Sequence, residues 1–556
     1  MIQFDEDKQN RRVKELYQKE EEELAKVIAT RHNLEYIDLS GIPIGTDALK
    51  VIEEIDAHAA KVAAFAISDK KLKVAVRVPE EEKTAMVIRS LIDQGYEVKQ
   101  YVTSTTSLEK AWAAYADLSK TRETTGGSID IAHDEILDII NTHPSLVDIQ
   151  NVIKDILANK KGFKTSRILE HVLAGALSTN ASDIHIEPEE EYVRIRYRLD
   201  GVLTNVANLD LSVYNLVLSR IKLLSGMKLN VKKDAQDGRF SIKLSDMDIE
   251  VRASILPGAY NESVVLRLLN PKSIAVPLEE LGIPKKLLSV ILEQIEKPNG
   301  MILTTGPTGS GKTTTLYAFL KKVYNPGVKV ITIEDPIEYH LPGIVQTQVN
   351  DKGYNFLEGL RAALRQDPDV IMVGEIRDSE TAQIAINSSL TGHLVFSTLH
   401  TNNAAGSFPR LIDLGINPHV ISSAINIALA QRLVRKLCPV CRKEITLDGT
   451  NKEKIEKVLA GIFDKSEIPQ NNSKIWQSVG CEKCNMTGYK GRIGIYEGIL
   501  VDESVNKSVE MSDGAQEIQK TASPQGILMM SQDGIIKVLS GMTSLDELER
   551  VIDINL

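Results

Sequence analysis

Residues 300–313, Gly-Met-Ile-Leu-Thr-Thr-Gly-Pro-Thr-Gly-Ser-Gly-Lys-Thr, hold the plainest chemical capacity in the chain. From Gly306 through Pro307, Thr308, Gly309, Ser310 and Gly311 to Lys312 and Thr313, the spacing is G-x-x-x-x-G-K-T. Gly306, Gly309 and Gly311 take backbone angles that Cβ-bearing residues resist, so successive N–H groups from Gly309 to Thr313 point at phosphate oxygens. Lys312 adds a point charge for β and γ phosphates, and Thr313 a hydroxyl for Mg2+. The apolar run before the loop predicts a strand. The helix predicted from Thr314 to Val323 aims the positive end of its dipole at the same anion.

Two acidic clusters follow. The strand predicted over 328–333 ends in Glu334-Asp335-Pro336, and Pro336 cannot continue a central strand. Both carboxylates therefore fall at a strand's carboxyl end, where open α/β sheets bind ligand. A second strand, Val370–Val373, ends in Gly374-Glu375-Ile376-Arg377-Asp378. Gly374 stands where nucleotide hydrolases commonly place an acidic Mg2+ ligand, so Glu375 is expected to hold the metal's water shell or the attacking water. A third strand lies within 392–401. His400, just past its end, is placed either to reach a γ-phosphate or to serve as a satisfied structural residue.

All four cysteines fall in two C-x-x-C pairs, Cys438 with Cys441 and Cys481 with Cys484. Four thiolates close a tetrahedral Zn2+ site at about 2.3 Å per bond, and with no position left for water the metal would be structural. Two disulfides are the competing reading, disfavoured in a cytosolic setting. The metal is expected to pin segment 442–480 into a finger.

The elements that must position these groups need several domains, since 556 residues exceed what one core supports. A composition of 42% hydrophobic and 26% charged residues places the chain among ordinary globular proteins. The net charge of −10 argues against non-specific nucleic-acid binding. No run approaches 18 apolar residues, and the first thirty residues are charged, without a signal-like apolar core. A cytoplasmic location is expected, with any membrane association made through a protein partner or a surface contact.

The pattern predicts an α/β multidomain chain. Residues 1–118 form a small N-terminal α/β domain, with helix 47–55, a hairpin of 63–68 and 72–78, helix 80–94, strand 97–102 and helix 108–115. The charged stretch 5–30 is either a solvated helix or a docking arm. Residues 119–135, with Gly126-Gly127, have linker composition. A middle α/β domain, 136–272, contains the alternating run from Val193 to Leu199. There Arg194, Arg196 and Arg198 share one face, either solvated or in contact with an anion. Helix 213–228 and strands 239–244, 248–255 and 263–269 complete that domain. Arg252 and Arg267 lie within strands, where an isolated charge is costly to bury; spacing alone leaves an internal ion pair open. Residues 273–437 form the phosphate-binding domain with a parallel sheet covered on both faces. Residues 438–492 form the cysteine module, and 493–556 a helical tail whose last helix runs from Leu545 to Ile552.

From about residue 165 onward the sequence resembles the secretion ATPases of type II secretion and type IV pilus assembly. The resemblance rests on Ala-Ser-Asp-Ile-His-Ile-Glu-Pro at 181–188, Gln-Asp-Gly-Arg at 236–239, the phosphate loop, and Ile-Thr-Ile-Glu-Asp-Pro-Ile-Glu-Tyr at 331–339. It rests also on the run from Arg365 to Asp378, on Thr-Gly-His-Leu-Val-Phe-Ser-Thr-Leu-His-Thr-Asn at 391–402, and on the four-cysteine module. It implies a RecA-like P-loop NTPase domain preceded by a PAS-like domain, with ATP, Mg2+ and structural Zn2+ as ligands. It further implies that Glu334 is the general base or water-positioning carboxylate, that Glu375 supports Mg2+, and that His393 and His400 border the γ-phosphate. Arg252, Arg267, Arg361 and Arg365 match family arginines that close on nucleotide or bridge subunits. A homohexamer at the cytoplasmic face of the inner membrane is implied, working with a platform protein and a cytoplasmic adaptor, without direct nucleic acid, to assemble pilin or pseudopilin. A nucleotide-gated scaffold with little turnover and a retraction or DNA-transfer motor are the alternatives. The first domain lacks the segment opening Arg-Leu-Gly that binds cyclic di-GMP in some relatives, so that ligand is not expected.

Overall fold

The computed structural model describes residues 20–39, 44, 46–49, 51–68, 70–113, 115, 128–129, 145–158, 165–244, 247–270, 276–350, 353–447, 449–469 and 474–554. It divides into two compact units, Met1–Thr125 and Gly126–Leu556.

In the first unit, β1 (Glu35–Tyr36), β2 (Val62–Ser68), β3 (Lys71–Val76) and β4 (Glu97–Val102) form one sheet in the order β1-β4-β3-β2. The expected hairpin is β2 with β3, and the helices Glu82–Asp93 and Thr105–Ala113 match their predicted places. The single helix expected over 47–55 is instead two, Thr46–Leu49 and Glu54–Ala59. Glu53 takes an extended backbone (φ −65°, ψ 145°) and starts the second one, leaving Ile52 buried between them. Of the charged stretch 5–30, residues 20–30 are helical and the rest lies outside the described residues. The linker 119–135 also lies outside them, apart from Ser128 and Ile129.

The second unit opens with a sheet of β5 (Ser128–Ile129), β6 (Asp183–Pro188), β7 (Val193–Leu199), β8 (Val202–Leu209), β9 (Gln236–Leu244), β10 (Met247–Pro257) and β11 (Glu262–Leu269). Their order is β5-β9-β10-β11-β6-β7-β8, antiparallel except for β5 beside β9. Residues in β7 alternate buried and half-buried, as a sheet with one covered face requires. Helices Leu146–Ala158, Thr165–Ser178 and Leu211–Leu224 supply Ile149, Leu173 and Val217 to the covered face, against Ile184, Ile195, Tyr197 and Val251. On the other face the arginine stripe is ion-paired: Arg194 with Glu189 at 2.7 Å, Arg196 with Glu187 at 2.6 Å, Arg198 with Asp183 at 3.2 Å.

The next sheet contains β12 (Gly300–Thr305), β13 (Val330–Glu334), β14 (Val345–Gln348), β15 (Val370–Val373), β16 (Leu394–Leu399) and β17 (Ile425–Leu437), all parallel. A small hairpin, β18 (Lys443–Thr446) and β19 (Lys474–Gln477), precedes β20 (Tyr489–Leu500), which joins the sheet antiparallel to β17. The order is β14-β13-β15-β16-β12-β17-β20, with an apolar core on each face.

Two expectations are corrected here. Residues 493–500, expected to begin a helical tail, form the second half of β20. They are buried from Gly494 to Ile499, and Gly498 packs so closely that a Cβ there would lie 2.5 Å from Leu287. The tail is helical from Glu503–Glu510 through Ala515–Ala522 and Met530–Leu539 to Leu545–Val551. The segment 442–480 is not a finger. Its strands and the helix Gly449–Ala460 put Leu447, Ile455, Leu459 and Ile475 into the same core as β12 and the tail helices, because an amphipathic hairpin and helix stabilise only by burying their apolar faces. Among the described residues, no helix is long and apolar enough to cross a membrane.

Candidate functional site

The phosphate loop leaves β12 at Gly306, whose φ of 148° and close neighbours both demand glycine: a Cβ would lie 2.6 Å from Gln431 O and from Ser310 Oγ. Gly311, at φ 91°, caps the helix Lys312–Val323, which starts two residues before the predicted Thr314. The neighbouring strand braces the turn, since Gln431 Nε2 donates to Ser310 O at 2.8 Å. Pro307, Thr308 and Gly309 are exposed at the tip, while Gly311, Lys312, Thr313 and Thr314 are half-buried. Lys312 Nζ donates to Gly306 O at 2.7 Å and Pro307 O at 3.1 Å, inside the turn it serves. Burial lowers its proton affinity, the Glu375 charge opposes that, and Arg432 adds to it. Ser310 Oγ is buried without a partner, so the loop is a cradle with donors left to give. These features fit a phosphate chain with its divalent cation.

The carboxyl ends of β13, β15 and β16 converge beside this loop, as parallel pairing in register requires. Glu375 is half-buried and bonded to Arg377 and to His400 Nε2, the latter at 3.1 Å. Burial works to raise its pKa, but Arg377 and His400 outweigh that and hold it below the ordinary carboxylate value. Arg377 also lies 3.6 Å from Asp335. Glu334 is different: it is only 3% exposed and accepts from the Tyr317 and Thr332 hydroxyls and from Gln346 Nε2. Burial pushes its pKa up, and the three donors only partly offset this.

The candidate arginines separate. Arg239, Arg252, Arg267, Asp183 and Arg198 stand side by side across five strands of the first large sheet. Arg252 leaves that row: it donates to Ile337 O at 2.6 Å and lies 3.6 Å from Glu338, on the segment that follows β13. It bonds Glu250 as well, at 3.1 Å. Arg267 stays in the row, paired with Asp183 at 3.1 Å. Arg361 is exposed and pairs with Glu358 of its own helix at 3.2 Å, and Arg365 is exposed at that helix's end.

His393 does not join the site within this chain. It precedes β16, its backbone O accepting from Gly300 N, while His400 follows the same strand. At about 3.3 Å per residue the two histidines are separated by roughly the full length of the strand. His393 Nδ1 meets Ser388 O at 3.0 Å.

Sequence reasoning passed over Gln431 and Arg432. Arg432 bonds Asn402 O at 2.9 Å and Gln431 O at 3.0 Å, and its guanidinium lies 3.1 Å from the place a Gly306 Cβ would take. The signal was available: a Gln-Arg pair interrupts the apolar start of β17, where a polar side chain needs a reason to be. Tyr317 and Gln346 belong to no motif and become visible only as partners of Glu334. A cavity of about 920 Å³ opens beside Gly311 and Thr314, walled by Leu433 and Arg435 on one side and Asn180 and Asp200 on another.

The four cysteine Sγ atoms lie within 4.8 Å of one another. Separations are 3.9 Å (Cys438 to Cys481), 3.8 Å (Cys441 to Cys484) and 3.7 Å (Cys481 to Cys484), and none is in a disulfide. A tetrahedral Zn2+ with bonds of about 2.3 Å sets its sulfurs roughly 3.8 Å apart, so the cluster fits that ion. Backbone N–H groups of Gly480, Cys481 and Gly488 point at Cys441 and Cys484 sulfurs at 3.2–3.3 Å, as thiolates require.

Residues 158–550 match the family model described as Type II/IV secretion system protein. The chain is 46% identical over 386 residues to the type II secretion system protein E of Aeromonas hydrophila, covering 69% of this chain and 75% of that protein. It is 42% identical over 389 residues to the type IV pilus assembly ATPase PilB of Thermus thermophilus, covering 70% of this chain and 43% of that protein. The fold is similar to that of the Legionella pneumophila ATPase DotB, with a TM-score of 0.51 at 23% identity over 71% of this chain and 97% of that one. A match that spans the arginine sheet, the phosphate loop and the cysteine module alike leaves one assignment: the chain belongs to the Type II/IV secretion system protein family and is an ATP-hydrolysing enzyme.

Proposed function

We propose that the chain is one subunit of a hexameric motor that hydrolyses ATP to drive pilin or pseudopilin assembly, in a type IV pilus or a type II secretion machine. The observation that carries this reading is Arg252 reaching from one sheet onto the segment that follows β13 and Glu334 in the other. A site built from two sheets is completed or broken by their relative motion, which is how hydrolysis becomes mechanical work.

In this reading the N–H groups of 309–313 and Lys312 hold the β and γ phosphates, and Thr313 would hold Mg2+ with support from Glu375. When bound, the ion neutralises charge between those phosphates. Glu334 orients the attacking water and takes its proton, a role its raised pKa suits better than the lowered one of Glu375. His400 fixes Glu375. The cavity beside Gly311 and Thr314 has room for the nucleoside. Arg361 and Arg365, exposed on and just past one helix, would meet the next subunit of a ring. Cys438, Cys441, Cys481 and Cys484 would hold Zn2+ as a staple. The phosphate-loop domain is RecA-like, the sheet before it PAS-like, and the first unit docks an adaptor, with a platform protein holding the ring at the cytoplasmic face of the inner membrane.

Steady-state phosphate release tests the reading. Glu334→Gln is expected to cut kcat by about 10²–10⁴-fold while leaving nucleotide binding intact. Equal turnover in the two proteins would overturn it, and leave a nucleotide-gated scaffold.

A further inference from the structure

Three side chains hold the Glu334 carboxylate, and they differ in what else they hold. Tyr317 belongs to the helix of the phosphate loop, and Thr332 to β13 itself, so both travel with the rigid sheet. Gln346 belongs to β14 and uses every part of its amide. Its Nε2 donates to Glu334 Oε1 at 3.1 Å and to Tyr339 O at 3.2 Å, and its Oε1 accepts from Leu341 N at 2.7 Å. Tyr317 also touches the segment between β13 and β14, its ring 4.7 Å from that of Tyr339 and its hydroxyl accepting from the Glu338 backbone, whereas Gln346 is bonded to that segment at both Tyr339 and Leu341.

That segment is the one Arg252 grips. The guanidinium is 2.6 Å from Ile337 O and 3.6 Å from Glu338, and Tyr339, the next residue, gives its carbonyl to Gln346. Gln348 anchors the same stretch from below, its Oε1 accepting from Ile337 N at 3.3 Å. A displacement of residues 337–339 therefore reaches Oε1 of the carboxylate through the bonds of Gln346, and bears on Oε2 through the contact of Tyr339 with Tyr317.

We propose that Gln346 is a positioning residue that transmits the hold of Arg252 on residues 337–338 to the Glu334 carboxylate, so that the attacking water is aimed only while the arginine sheet is engaged. The inference rests on the reading of Glu334 as the water-orienting carboxylate. It needs no contact between Arg252 and nucleotide.

The charged and titratable groups facing Glu334 are Tyr317 on the loop helix and Glu338 and Tyr339 on the connecting segment. Burial raises the carboxylate's pKa, the three donors lower it and Glu338 raises it further. Removing the Gln346 donor moves it upward, and with it the acid limb of the rate profile.

The test uses full-length protein with Mg-ATP, as Gln346→Ala, Gln346→Met, Arg252→Ala and the double variant Arg252→Ala with Gln346→Ala. Gln346→Ala is expected to lower kcat about tenfold with KM within about twofold, and to shift the acid limb of kcat up by about half a unit. The double variant is expected to be within about twofold of Arg252→Ala alone, because two residues on one route are not additive. Wild-type kcat and an unmoved limb in both Gln346 variants would overturn the proposal, as would a double variant slowed by the product of the single effects. If the alanine variant melts below assay temperature, Gln346→Met, which keeps the length and loses the amide, decides. Full activity in Glu334→Gln would sink the underlying reading; an inactive Glu334→Gln beside normal Gln346 variants would sink only this inference.

Discussion

The four central strands β12, β13, β15 and β16 are buried at every position and carry one charged residue, Glu334, at a carboxyl end. The sheet β5–β11 instead spreads arginines across a whole face, with Arg194, Arg196, Arg198 and Arg267 each within reach of a carboxylate. The difference is one of layers. A parallel sheet covered on both faces has nowhere to solvate a charge, so its chemistry is driven past the strand ends. An antiparallel sheet with one open face tolerates a charged row provided partners alternate with it. An arginine on that open face is thus structural by default, and the informative one is Arg252, which leaves the row.

The comparison breaks most visibly at the cysteine module, which joins the last two strands at one edge of that sheet, β17 and its antiparallel neighbour β20. If Zn2+ is its staple, Cys481→Ser or prolonged chelation should lower the melting temperature by about 10 °C or more, since structural zinc contributes directly to folding. Metal analysis should fall from one equivalent per chain to none, and a protein that melts normally without metal would contradict the assignment.

Next in size is the contrast between two arginines on adjacent strands. Arg252→Ala should reduce kcat/KM about 10–100-fold, by removing a half-buried contact between the two sheets. Arg267→Ala, at a residue 59% exposed and paired with Asp183, should change it less than about threefold. Equal losses would mean that the whole row acts on nucleotide and that the pairing with Asp183 is not its resting arrangement.

Much of this site was legible in the sequence. The phosphate loop, both acidic clusters and the cysteine pairs are local patterns whose chemistry depends on spacing alone, and short apolar runs bounded by Gly and Pro place their strands. What was misread depended on direction or on distant partners. His393 and His400 flank one strand, so strand polarity already put them at opposite edges of the sheet. The half of β20 after Ile493 alternates with glycines at 494 and 498 and is a strand only because β17 lies alongside. Gln346 has no motif, since its role lies in three bonds made in space.

A third contrast lies between the two carboxylates. Glu334 sits above the ordinary carboxylate pKa because burial prevails, and Glu375 below it because Arg377 and His400 prevail. As pH falls Glu334 takes up its proton first, so activity is lost through Glu334 while Glu375 remains ionised. The acid limb of kcat should therefore lie above about 4.5, and Arg377→Ala, which leaves Glu375 held by His400 alone among these two partners, should shift KM for Mg-ATP more than it shifts that limb. A limb that follows the Arg377 substitution would exchange the roles of the two residues.

The smallest expected effect concerns stability. Glu547, on the last helix, is buried against β17, where Arg550 and Arg435 overcome the cost of burial and hold its pKa near 2. A carboxylate depressed in the folded state stabilises above its unfolded pKa, and that contribution fades as pH falls through the folded value. Between about pH 4.5 and pH 2 the wild type should therefore lose stability that Glu547→Gln has already lost at neutral pH. The variant should melt a few degrees lower at pH 7, with the gap closing as the medium is acidified. A gap that stays constant to the lowest pH at which both fold would show that Glu547 holds the tail to β17 by packing rather than by charge. The buried ion pair would then belong with the mutually satisfied row on the arginine sheet, and not with the groups that the parallel sheet sets past its strand ends.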